Sequence, residues 1–242
     1  MATAILRFST NSGLVLGADG LKYDVVAKRA ISTDTQKVFE IPGLPAAYAI
    51  YGEIGIGDDN PDTPAVLDLS QEIRKFLDFS DRSFDFFAYA NRIAEKLRQS
   101  IAATKESGAI WGGNQESLTP EQVIARIILC GFFDGTPMEI NIRFEHLNQR
   151  LLPPRVSLVD LQHSNPEVFG PRPVTQHLFR HPESADLSLR EAAKKIERYI
   201  QFCDSEKGWK LDPLMCRTIG GHIHIAAITA QGFQWLKPPI GV

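Results

Sequence analysis

The chain has 242 residues, of which 43% are hydrophobic and 23% charged, and its formal net charge is −3. That composition suits a globular chain with a sizeable core; it lacks the basic excess of a nucleic-acid footprint, and no apolar run is long enough to span a bilayer. Three cysteines at wide spacing, Cys130, Cys203 and Cys216, fit reduced thiols better than a disulfide framework. The first residues read as a strand and not as a signal peptide, so a cytoplasmic location is expected.

In chain order, the apolar-rich runs TAILRFST (3–10) and GLVLGAD (13–19) are joined through Asn11, Ser12 and Gly13 and predict a β-hairpin. Asp19-Gly20 is a turn signal, followed by a polar connection to Gln36 and two further strands, KVFEIP (37–42) and AAYAIYGE (46–53). The period then changes. Val66, Leu69, Ile73, Phe76 and Leu77 share one helical face, and so do Phe86, Ala90, Ile93, Leu97 and Ile101, with Ser83 as the expected N-cap. Residues 106–120 read as a polar, Gly-rich loop. Strands return at 122–135 and 138–146 across the turn DGTP, with weaker candidates at 155–161 and 167–170. A short helix (173–180) and a longer one (187–207) follow; the second carries Leu189, Ala192, Ile196, Tyr199, Ile200 and Cys203 at helical spacing. GGHIHIAAIT and FQWLK form a last hairpin across AQG, and the tail PPIGV is peripheral.

The order is strands, two helices, strands, two helices, two strands. Without a βαβ alternation, a doubly wound parallel sheet is excluded. The expected fold is α+β: a four-layer αββα sandwich of two antiparallel sheets flanked by helix pairs, with residues 1–242 forming one domain.

Few side chains offer chemistry on their own. His222 and His224 alternate in HIH and share a sheet face, but no carboxylate or cysteine completes a ligand set, so a structural role is expected and no metal or cofactor. Cys130 lies in an apolar strand and reads as core. Cys216 lacks a positioned histidine. The acidic stretch around Asp58, Asp59 and Asp62 lacks EF-hand spacing and reads as a solvated loop.

The element order and four local segments together resemble the N-terminal-nucleophile (Ntn) hydrolases, and within them the β-type proteasome subunits and their bacterial relatives. The segments are TAILRF…SGLVLGADG, KVFEI, AYAIYGE and TIGGHIHIAAITAQGFQWL. The resemblance implies an N-terminal threonine amidohydrolase or peptidase acting on a peptide or amide through an acyl-enzyme. A free α-amine, with a reference pKa of about 8, serves there as base for the threonine hydroxyl. Carried onto this chain, Thr3 matches the nucleophile, Lys37 the lysine that stabilises developing negative charge, and Asp19 the aspartate that orients it. Gly52 matches the glycine whose amide donates to the oxyanion. Thr3 would become terminal only after cleavage of the Ala2–Thr3 bond. The resemblance also implies a homo-oligomer.

The chain departs from the family at other positions. Gly20 and Leu21 stand where a polar residue and an arginine are usual, and Cys216 and Ile219 where an aspartate and a serine are. These departures support an alternative: a catalytically inactive proteasome-like subunit with a structural or binding role in an assembly.

Overall fold

The computed structural model describes residues 3–24, 28–52, 55–56, 67–76, 85–106, 122–161, 166–180 and 186–241. The chain divides into two compact units: Met1–Ala49, Cys130–Glu139 and Val159–Val242 in the first, Ile50–Leu129 and Ile140–Leu158 in the second. The elements begin with strands β1 (Ile5–Thr10), β2 (Gly13–Asp19), β3 (Lys22–Asp24), β4 (Arg29–Ser32), β5 (Val38–Glu40), β6 (Ala46–Gly52), β7 (Gly55–Ile56) and β8 (Leu67–Asp68). Helices α1 (Leu69–Phe76) and α2 (Phe86–Glu106) precede strands β9 (Gln122–Phe133), β10 (Thr136–Leu147), β11 (Arg150–Leu151), β12 (Arg155–Leu158) and β13 (Glu167–Phe169). Helices α3 (Arg172–Leu178), α4 (Leu189–Cys203) and α5 (Glu206–Leu211) lead to the closing strands β14 (Ile223–Thr229) and β15 (Gly232–Lys237). The chain is thus mixed α and β with antiparallel strand pairing, in the expected order of strand and helix groups.

In the first unit, five strands lie in the order β13-β1-β2-β14-β15, every neighbour antiparallel. The pleat of the strands sorts their side chains between two faces. Leu6, Phe8, Val15, Ile223 and Ile225 pack with Val174, Ala192, Ile196, Tyr199 and Ile200, the apolar stripes of α3 and α4. Ile5, Arg7, Leu16, Ala18 and His224 occupy the other face and are also fully buried. There Arg7 pairs with Glu139 of β10, and β5 lies against β2 and β14.

Gly17 is what lets α4 approach the sheet. A Cβ there would stand 2.7 Å from Ile196 Cγ2, 3.1 Å from Ile225 Cγ1 and 3.2 Å from the His224 carbonyl oxygen. Gly17→Ala is therefore expected to destabilise the chain by about 1–3 kcal/mol through overpacking. Denaturant unfolding at pH 7 measures it; a midpoint equal to wild type would show that the helix moves freely off this spot.

Helix boundaries follow the caps. Ser188 and Glu191 form a complete capping box at the start of α4. The single helix expected over 187–207 is two. The Ser205 hydroxyl accepts from the Gly208 amide and starts α5 anew, and a Cβ at Gly208 would come within 2.2 Å of the Phe202 carbonyl oxygen.

In the second unit, α1 begins at Leu69 because Asp68 Oδ1 accepts from the amides of Ser70 and Gln71. Leu67 and Asp68 pair instead with β7. Asp85 caps α2, accepting from the Phe87 and Ala88 amides, whereas Ser83, Val66, Leu77, Asp58, Asp59 and Asp62 lie outside the described residues. The six-stranded sheet to which β9 and β10 belong has the order β11-β10-β9-β6-β5, with β12 beside β10.

The polar connection expected after Asp19 contains a strand pair, β3 with β4. Arg29, Ala30 and Ile31 are exposed, so this ribbon has no buried face to produce an apolar alternation. No helix among the described residues is long and apolar enough to cross a membrane.

Candidate active site

The end of β2 is where the chemistry-bearing residues of the first unit converge. The amide of Asp19 donates to the Ala4 carbonyl at 3.1 Å, so the β1–β2 ladder runs on to the residue after Thr3. The Ala4 amide in turn donates to Asp19 Oδ1 at 2.8 Å. The same oxygen accepts from Lys37 Nζ, also at 2.8 Å. Asp19 Oδ2 accepts from the amides of Leu21 at 3.3 Å and Gly220 at 3.4 Å. Four donors thus surround one fully buried carboxylate and fix its plane.

Lys37 is as buried as its partner, with 3% of its side chain exposed. Its ammonium donates to Asp19 and to the Leu21 carbonyl at 2.9 Å. An ammonium has three protons, so one is left to meet a further acceptor. Burial pushes the Lys37 pKa down from the usual lysine range, and the Asp19 charge and hydrogen bond offset this only in part. Thr3, 2% exposed, sits directly before Ala4.

Four backbone hydrogen bonds hold this corner together. The Gly20 and Leu21 amides both donate to the Gly220 carbonyl, at 3.1 and 2.9 Å, and the Thr35 amide to the Gly20 carbonyl at 2.7 Å. The His222 amide donates to the Thr33 carbonyl at 2.7 Å. The turn before β14 needs its two glycines for this. Gly221 has φ +71°, and a Cβ on it would lie 2.4 Å from the Thr33 carbonyl oxygen.

Of the residues assigned by resemblance, Asp19 and Lys37 are brought into direct contact, and Thr3 precedes the residue whose amide shares their oxygen. Gly52 belongs to the second unit. It ends β6 with φ +92°, and a Cβ there would stand 2.7 Å from the Ile124 carbonyl oxygen, so the position demands glycine on steric grounds alone. Cys216 and Ile219 are fully buried among the apolar side chains of α4, and burial lifts the Cys216 thiol to about 11, which makes it unreactive. Cys130 is core, as expected.

Two nearby groups lie outside the set assigned from sequence. Asp204, at the end of α4, stands against the Gly220–Gly221 turn; a Cβ on Gly220 would lie 2.8 Å from its Oδ2. Partial burial and the Asp19 charge raise its pKa. The second is His224, whose Nε2 lies 3.1 Å from the Lys37 amide nitrogen. Its alternation with His222 was the available signal, but the partner lies 187 residues away in sequence. No cluster of three or more histidine, cysteine or carboxylate side chains suited to a metal occurs among the described residues.

No family model matches the chain, and no curated protein matches it. The functional reading therefore rests on the residues themselves.

Proposed function

We propose that the chain is an N-terminal threonine amidohydrolase or peptidase, built as a four-layer αββα sandwich of the proteasome-like type. The observation that carries this reading is the buried Asp19–Lys37 pair, whose shared oxygen Oδ1 also holds the amide immediately after Thr3. A lysine bound in this way supplies a fixed positive charge, with one proton not spent on Asp19 or Leu21.

With Thr3 terminal, its α-amine takes the proton of Oγ1, directly or through water. Oγ1 attacks the carbonyl carbon of a peptide or smaller amide; the C–O bond forms and the C–N bond then breaks, with the proton passing to the leaving amine. Water hydrolyses the resulting ester and regenerates Thr3. The Lys37 ammonium lowers the cost of the alkoxide-like oxygen, and Asp19 keeps that ammonium aimed. Association into a homo-oligomer in the cytoplasm belongs to the same reading.

A second reading, an inactive subunit of an assembly, is favoured by the burial of Cys216 and Ile219 in the helix-packed core. Intact mass and N-terminal sequencing of the purified, untagged chain separate the two. A chain that begins at Thr3 is the expected result. One that begins at Met1 or Ala2 and stays so on storage leaves Thr3 without its base and transfers the case to the inactive subunit.

A further inference from the structure

We infer that His224 is a positioning residue for Lys37: its imidazole holds the backbone end of the lysine while Asp19 holds the ammonium end. The catalytic consequence rests on the function proposed above; the clamp itself does not.

Lys37 stands one residue before β5, whose register with β6 starts at Val38↔Ala49. Its buried amide therefore has no place in that ladder and would be an orphan donor, a state proteins avoid. His224 Nε2 accepts it at 3.1 Å. This requires Nε2 to be unprotonated, which places the imidazole proton on Nδ1. Nδ1 is itself buried and has no hydrogen-bond partner among the described residues. An unpaired buried N–H is a cost to folding that a leucine of similar bulk would avoid. What offsets it is the acceptor that Lys37 receives.

The surroundings keep the ring neutral. It is fully buried near the start of β14, beside Ala18 of β2. The titratable groups bearing on it are Lys37 and His222, the latter with ring centroids 6.3 Å apart. Burial first, then the positive charges of Lys37 and His222, push its pKa down to about 3. Protonation would put N–H against N–H and a second cation beside Lys37. His224 is therefore a constant acceptor across the working pH range and not a switch.

The geometric effect follows from the stem of lysine. Four methylenes leave the position of an ammonium loosely defined unless the backbone that carries it is also held. With the Lys37 amide on His224 and Nζ on Asp19 Oδ1 and the Leu21 carbonyl, both ends are fixed, and the third ammonium proton has one direction.

Long-range 1H–15N NMR of the imidazole on the full chain reads the tautomer. The Nδ1–H form at pH 7, unchanged on titration to pH 5, is expected; an Nε2–H form, or titration between pH 6 and 7, overturns the inference. His224→Gln keeps an acceptor and His224→Leu removes it. Amide hydrogen exchange at Lys37 should stay slow in wild type and His224→Gln and rise at least tenfold in His224→Leu. With an amide substrate, kcat should fall at least tenfold in His224→Leu with KM within twofold, and His224→Gln should recover most of the loss. Unchanged exchange and kcat in His224→Leu, or equal losses in both variants, overturn the inference. If the proposed activity itself fails, wild type and variants are all inactive, and tautomer and exchange still decide on His224. If His224→Leu does not fold, the wild-type tautomer decides.

Discussion

Thr3→Ala is expected to abolish amide hydrolysis, by about a thousandfold or more, and to leave the fold intact. The substitution removes Oγ1 and one methyl group from a side chain that is buried but small. The structural role of this segment lies in its backbone, since the neighbouring Ala4 accepts from the Asp19 amide through its carbonyl and donates to Asp19 Oδ1 through its amide. Stability should therefore change by no more than about 1 kcal/mol. Thr3→Ser keeps the hydroxyl and should retain measurable turnover, because the proposed mechanism has the amine, Lys37 and Asp19 act on the oxygen and not on the methyl. Release of a fluorogenic amine from acylated peptides measures both variants. An electrophile that esterifies hydroxyls should add its mass to a peptide beginning at Thr3 in wild type and Thr3→Ser, but not in Thr3→Ala. Equal turnover in wild type and Thr3→Ala would remove Thr3 from the chemistry, and the Asp19–Lys37 pair would then be a buried ion pair with a structural role.

The parts of this fold that the sequence announces are those with a buried face. TAILRFST and GLVLGAD read as apolar-rich runs because β1 and β2 are buried on both faces, one against α3 and α4 and the other carrying Arg7 and Ala18. The stripe of Ala192, Ile196, Tyr199 and Ile200 shows at a helical period for the same reason. The β3–β4 ribbon is exposed along β4 and produces no pattern. The division of 187–207 into two helices depends on Ser205 capping Gly208, a local bond that outweighs the continuing apolar period. At the candidate site, Asp19 and Lys37 were legible through the motifs around them. The acceptors that complete the site were not. The Leu21 carbonyl is backbone and has no sequence signature. His224 reaches Lys37 only because β14 pairs with β2 and β5 lies against both. Asp204 reaches the glycine turn from the end of a helix, whereas the resemblance looks for a carboxylate at position 216.

Breaking the Asp19–Lys37 pair from one side should be the most damaging single change to stability. Asp19→Asn keeps the shape but turns an acceptor for four donors into a group with donors of its own, facing Lys37 Nζ and the Ala4 amide or the Leu21 and Gly220 amides. It also leaves the Lys37 charge buried without its counter-ion. A cost of about 3–5 kcal/mol is expected, together with loss of any activity. Adding Lys37→Met to Asp19→Asn should recover part of the stability and none of the activity, because the second change removes the stranded charge. The pH dependence gives an independent check. Burial lowers the Lys37 pKa in the folded chain below its usual value of 10.5, so between the two values the unfolded chain binds more protons. Stability contributed by this group therefore rises with pH through that window, and the gap between wild type and Lys37→Met in denaturant unfolding should move in favour of wild type. Activity must move the other way. In the proposed reaction the ammonium beside the alkoxide is lost in the same window, so the alkaline limb of kcat is expected to fall below pH 10.5 while the fold holds. A gap that shrinks as pH rises would mean that the Asp19 charge outweighs burial, and that the lysine stays charged to higher pH than its neighbourhood implies.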